Sequence, residues 1–151
     1  MATDLDDVAK TVAEGDELEV DKIFRQLIKF EGSDLHMQVG KAPILRVKGS
    51  LRELQMEPID REHMQQLFGP MMDKRSRAIF DETGGTDFAH VVEYEGESWR
   101  FRVNLFIQLG NWGMVARKVE RWIPDFEGLY LPPAMEELCK FHQGMILLAG
   151  V

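Results

Sequence analysis

The spacing of apolar positions changes along the chain, and each change predicts a different element. Val20, Ile23, Phe24, Leu27 and Ile28 recur in threes and fours, with Asp21, Lys22, Arg25, Gln26 and Lys29 on the other side. That is the spacing of an amphipathic helix, and Gly32 is expected to end it as a C-terminal cap. The period then falls to two. Leu35, Met37 and Val39 alternate with His36 and Gln38, the pattern of a half-buried strand. A turn at 40–43 leads to a returning strand at 44–48, and Gly49-Ser50 turns the chain again into 51–54. Two short helices follow. Asp60 is positioned to cap one containing Met64, Leu67 and Phe68, stopped near Gly69-Pro70, and Asp73 caps a second that reaches Phe80.

Gly84-Gly85 breaks the helical stretch, and residues 87–94 read as a strand closed by a hairpin turn at Glu95-Gly96-Glu97. In the partner strand, 99–106, Trp99, Phe101, Val103 and Leu105 face one way, and Arg100, Arg102, Asn104 and Phe106 face the other. Gly110-Asn111 marks the next turn, and 113–119 returns. The sum is an α+β fold, a mainly antiparallel sheet with helices packed on one face. Beyond it, 122–132 is interrupted too often for a regular element and reads as a linker. Pro133 suits the first turn of a helix carrying Met135, Leu138 and Cys139 on its apolar side and closed by Gly144. Residues 145–151 form a continuous apolar run of the kind found in fully buried strands. Such a strand lacks its neighbours here, so the chain is expected to stop just inside a second domain. The resulting division is an acidic extension (1–17), a first domain (18–121), the linker (122–132) and the start of a second domain (133–151).

Composition narrows the functions. Among 151 residues, 18 Lys and Arg stand against 26 Asp and Glu, a net charge of -8 and an isoelectric point near 5.0. A chain this acidic is not expected to bind nucleic acid or an anionic lipid surface in general, since both require a basic face. Its 44% apolar content is that of a folded protein. The single cysteine, Cys139, excludes an internal disulfide framework or a multi-cysteine zinc site and fits a reducing compartment. The opening carries Asp4, Asp6 and Asp7 and no basic segment, unlike a secretory signal. The run at 145–151 is far shorter than the roughly 20 residues that span a bilayer.

Three groups of residues carry possible chemistry. Arg100 and Arg102 share a strand face, and Arg117 lies in the strand that should pair alongside. Guanidinium groups gathered there suit a phosphate; the alternative is a solvated face whose arginines pair with Glu93 or Glu95. Asp34 and His36, two apart, suit a shared metal or an acid–base pair. His63, His90 and His142 supply no third ligand at metal spacing, so Asp34 is expected to cap a turn and His36 to sit on a strand face. Last, Gly150-Val151 after an apolar strand has the form of the start of a phosphate-binding loop. Cys139 is expected to be inert packing, and no serine nucleophile elbow is present.

The run from Gly32 to Gly49, GSDLHMQVGKAPILRVKG, closely resembles the opening of PilT-type twitching-motility ATPases of the type II/IV secretion ATPase superfamily. The same family pattern recurs in Thr86-Asp87-Phe88, in RFRVNLFIQ from Arg100 to Gln108, and in Leu131-Pro132-Pro133 and GMILLAG from Gly144 to Gly150. This resemblance implies a PAS-like N-terminal domain, a linker, and the first helix and strand of a RecA-like ATPase domain. It implies a parent protein that binds ATP and Mg2+, assembles as a homohexamer and acts on an inner-membrane platform protein in the bacterial cytoplasm to retract type IV pili. Only about thirty residues precede the Ser-Asp-Leu-His block, which resembles the retraction branch rather than pilus assembly or type II secretion. By the same resemblance Arg102 and Arg117, with Arg100 as a further member, approach the nucleotide phosphates when the two domains close. Ala116 and Lys118-Val119-Glu120 depart from the family's usual residues around the second arginine. The lysine of the phosphate loop and the Walker B carboxylate have no counterpart before Val151, so the chain alone is expected neither to hold ATP tightly nor to hydrolyse it. A free-standing PAS-like binding or adaptor module is the alternative, and it requires an internal ligand cavity.

Overall fold

A computed structural model describes residues 18–147 and 149–150. The chain divides into two compact units, with the boundary between Val119 and Glu120. In the first unit the elements run α1 (Asp21–Lys29), β1 (Asp34–Gln38), β2 (Ile44–Val47), β3 (Ser50–Glu53), α2 (Arg61–Phe68), a single 3-10 turn (Gly69–Met71), α3 (Lys74–Thr83), β4 (Gly85–Tyr94), β5 (Glu97–Gln108) and β6 (Asn111–Lys118). The six strands form one sheet in the order β3-β2-β1-β6-β5-β4, and every neighbouring pair is antiparallel. The α+β expectation therefore holds for sheet and helices.

Local chemistry sets the connections. The β2–β3, β4–β5 and β5–β6 hairpins turn on Lys48-Gly49, Glu95-Gly96 and Leu109-Gly110, where both residues have positive φ. This turn geometry matches the right-handed twist of the flanking strands, and it places two of the three turns one residue earlier than the sequence pattern suggests. Asp60 and Asp73 cap α2 and α3 by accepting from the backbone N–H of His63 at 2.8 Å and Ser76 at 2.6 Å. The end of α1 differs from expectation. Glu31 takes the left-handed position, and Gly32 is needed for space instead: a Cβ there would meet Leu27 Cδ1 at 2.4 Å and the Arg46 carbonyl oxygen at 3.0 Å.

One face of the sheet is the core. Leu35, Met37, Leu45, Val47, Phe101, Val103, Leu105, Met114 and Ala116 are buried there. Against them pack Phe24 and Leu27 of α1, Met64, Leu67 and Phe68 of α2, and Phe80 of α3. The Phe24 ring lies 4.7 Å from that of Phe101 and 5.1 Å from the His90 ring. His90 Nε2 is 2.6 Å from Asp21 Oδ1, which ties the start of α1 to β4. At the far end, Arg61 donates to Asn111 Oδ1 at 2.9 Å and to the Gly110 carbonyl at 3.0 Å, pinning α2 to the β5–β6 turn.

The second unit holds one short helix, α4 (Ala134–Leu138), among its described residues. It starts where Pro133 predicts but stops at Leu138 rather than near Gly144. Cys139 is exposed, not packed on an apolar face. Residues 145–147 are irregular and exposed, so the expected buried strand is not formed over them. The physical reason is plain: a buried strand needs partners for its backbone N–H and C=O groups, and no described strand pairs with this segment. Leu148 and Val151 lie outside the described residues, as does the acidic extension 1–17.

Candidate functional site

The face of the sheet opposite the helices carries charge in an ordered row. Register places Leu51 beside Arg46, Arg46 beside Asp34, Asp34 beside Arg117, Arg117 beside Arg102 and Arg102 beside Ala89. The row crosses all six strands, and neighbours within it stand about 5 Å apart. Arg100 sits on the same face, two residues along β5 from Arg102. The structure thus brings together the three arginines that the strand pattern singled out.

Their partners are not the ones expected. Neither Glu93 nor Glu95 pairs with them. Arg117 Nε donates to Asp34 Oδ1 at 2.8 Å, and Arg46 Nε lies 3.4 Å from Asp34 Oδ2. The Ser33 hydroxyl donates to the same Oδ2 at 2.7 Å. Arg102 Nη2 lies 3.7 Å from Asp87 Oδ1, while Asn104 Nδ2 donates to Asp87 Oδ2 at 3.2 Å. Asp87, Ala89, Arg100, Arg102 and Val119 line a shallow depression of about 320 Å³ on this face.

The two carboxylates differ in setting. The Asp34 side chain is 5% exposed and that of Arg117 73%. Burial pushes the Asp34 carboxyl up, but the Ser33 hydroxyl bond, the Arg117 bond and the charges of Arg117 and Arg46 outweigh it and hold it below the ordinary value. Asp87 is 55% exposed and faces an Arg102 side chain that is 77% exposed, so that pair is screened by water. Like charges directly opposite in a sheet are destabilising, and Arg102 and Arg117 occupy such positions. A row of this kind presents guanidinium donors to solvent in the arrangement that suits a phosphate.

Sequence reasoning missed Arg46 and the role of Asp34 as the anchor of Arg117 and Arg46. Asp34 reads as a turn cap because an aspartate beside Gly32-Ser33 usually is one, yet it is the first residue of β1 and is buried. Its parity with His36 was the available signal, since it places Asp34 on a strand face. Gly150 is exposed in the second unit, and Val151 lies outside the described residues. Among the described residues no cluster of His, Cys, Asp or Glu could hold a metal ion, and no helix is long and apolar enough to cross a membrane.

Comparison with known proteins gives this face a context. The type IV pilus ATPase PilU of Pseudomonas aeruginosa is 30% identical over 133 residues, 88% of this chain and 34% of the relative. The type IV pilus retraction ATPase PilT of the same organism is 30% identical over 118 residues, 78% of this chain and 33% of the relative. A crystal structure of the pilus retraction motor PilT with bound ADP superposes with a TM-score of 0.69 at 31% identity, over 82% of this chain and 35% of that one. The chain is a homologue of the PilT-type ATPases. It matches their N-terminal part and spans about a third of the length of these relatives. The Legionella pneumophila ATPase DotB shares the fold, with a TM-score of 0.63 at 17% identity. No family model matches the chain.

Proposed function

We propose that this chain is the N-terminal part of a type IV pilus motor ATPase, and that its arginine row reads the nucleotide's phosphates. The observation that carries the reading is the placement of Arg102 directly opposite Arg117 on an open, solvated face. Asp34 and Asp87 each meet one of these arginines, but both guanidinium groups stay largely exposed, and a polyphosphate would give the two a shared partner. The PilT-type homology supplies the class of anion, because the relatives are named as ATPases.

In this reading the parent protein has a RecA-like ATPase domain after residue 133, entered through the linker at 122–132, and the first unit is its PAS-like N-terminal domain. ATP is held mainly by the phosphate loop that Gly150 and Val151 would open, with Mg2+ bound beside it. Hinge closure brings the arginine row onto the phosphates. The row's donors add positive charge where negative charge builds during phosphoryl transfer, the role through which such groups act. The PilT-type likeness supports taking the parent to be a homohexamer that works on an inner-membrane platform from the cytoplasmic side. The retraction branch is favoured by the identity with a retraction ATPase.

The test uses the full-length protein. Arg102→Ala and Arg117→Ala should each lower ATP turnover about tenfold or more and impair twitching; unchanged turnover and motility would remove the row from the mechanism. A free-standing ligand module is less well supported. A groove of about 600 Å³ in the first unit, lined by Gln26, Phe30, Leu45, Arg52 and Met56, is an open surface feature beside β3 rather than an internal cavity.

A further inference from the structure

Two arginines face the same solvent, but their anchors differ in kind. The Arg117–Asp34 bond runs through Nε at 2.8 Å, which leaves the two terminal nitrogens of Arg117 outside that bond. Asp34 itself cannot swing away, because it is almost fully buried, it lies in β1 between β2 and β6, and Ser33 and Arg46 hold its second oxygen. By contrast, Arg102 meets Asp87 through a terminal nitrogen, Nη2, at 3.7 Å, and both side chains are more than half exposed. Asp87 therefore occupies the same end of Arg102 that a phosphate would take, and its exposure lets the pair separate at little cost.

We propose that Asp34 is a positioning residue that presets Arg117 for phosphate, whereas Asp87 is a competing counter-ion that covers Arg102 until phosphate displaces it. This inference rests on the phosphate-reading function proposed above and adds how each arginine is held. The two carboxylates then have opposite effects on the same site. Asp34 raises the effectiveness of its arginine by fixing the guanidinium plane before the anion arrives, so less side-chain entropy is lost on contact. Asp87 lowers the effectiveness of its arginine because an anion must first replace it. Arg46 shares the Asp34 anchor but also donates to the Gly49 carbonyl through Nη1 at 3.3 Å, which commits part of its fork to the β2–β3 turn.

The experiment is ATPase kinetics of the full-length protein with kcat and KM separated. Asp34→Asn, nearly isosteric, is expected to lower kcat about tenfold with KM within about twofold, while Asp87→Asn raises kcat about twofold. In an Arg117→Ala background the Asp34→Asn effect should shrink below about twofold, since its route runs through that arginine; undiminished losses that multiply would mark a merely structural role and overturn the proposal. Arg117→Lys and Arg102→Lys, both at exposed positions, test the same point without touching the buried carboxylate. Lysine keeps the charge but has no Nε clamp, so Arg117→Lys should lose about tenfold and Arg102→Lys no more than about threefold. Equal losses at the two positions, or a fall in kcat with Asp87→Asn, would overturn it. If Arg102→Ala and Arg117→Ala leave turnover unchanged, the phosphate-reading function itself fails. If they lower turnover while Asp34→Asn does not, only the positioning role fails.

Discussion

The two faces of the same six-stranded sheet obey different rules. On the helix face, Phe101, Val103 and Leu105 are fully buried against Phe24 and its neighbours. On the other face, the residues between them, Arg102 and Asn104, meet Arg117 and Val115 across β6, on the side of the sheet away from α1, α2 and α3. Burial makes the first face responsible for stability, because apolar area removed from water is the main favourable contribution to folding. The second face contributes little by that route and sets two arginines opposite each other, each against its own aspartate. What it offers instead is a set of donors whose anchors are fixed by strand register. One alternating strand, β5, thus supports the core with odd residues and presents the site with even ones.

Breaking the core side should have the largest effect. Phe101→Ala is expected to cost about 3–5 kcal/mol, read as a lower midpoint in urea unfolding of the 151-residue chain. A close-packed backbone site comes next. Gly32→Ala forces a Cβ toward Leu27 and the Arg46 carbonyl, and an overpacking cost of about 2 kcal/mol is expected by the same measurement. A cap removal is smaller: Asp73→Ala loses the bond to the Ser76 N–H and should cost about 1 kcal/mol. On the open face, Arg102→Ala should change stability by less than about 0.5 kcal/mol. Finding that it costs as much as Phe101→Ala would erase the distinction between the faces.

Acid sharpens the comparison at one residue. The Asp34 carboxyl is held below its ordinary value of 3.8, so its charge stabilises the fold above that pH. The contribution fades as the pH falls below 3.8 and through the lower folded value. Wild type and Asp34→Asn should accordingly differ in unfolding midpoint at neutral pH, and the difference should shrink on acidification below 3.8. A difference that stays constant would mean the charge of Asp34 contributes nothing.

Much of the scaffold was legible because it is written in local periods. The alternation of 99–106 and the threes and fours of 20–28 correspond to β5 and α1, and Asp60 and Asp73 act as the caps their positions indicate. The arginines were visible for the same reason. Their anchors were not, because Asp34 and Arg117 are 83 residues apart in sequence and meet only through the β1–β6 pairing, which no local pattern encodes. The apolar run at 145–151 reads as a buried strand by composition, but 145–147 are irregular here, since a strand forms only where neighbours accept its backbone bonds. Gly32 shows a third kind of failure, since glycine marked the right place for a steric reason rather than a conformational one.

The most direct measurement pairs stability with turnover on one preparation of the full-length protein carrying Arg102→Ala and Arg117→Ala together. The account expects ATP turnover to fall by about a hundredfold while the N-terminal unit stays folded, with a urea midpoint only modestly lowered because Arg117→Ala takes one partner from the buried Asp34 carboxylate. Turnover that stays at the wild-type level, with the unit still folded, would contradict it.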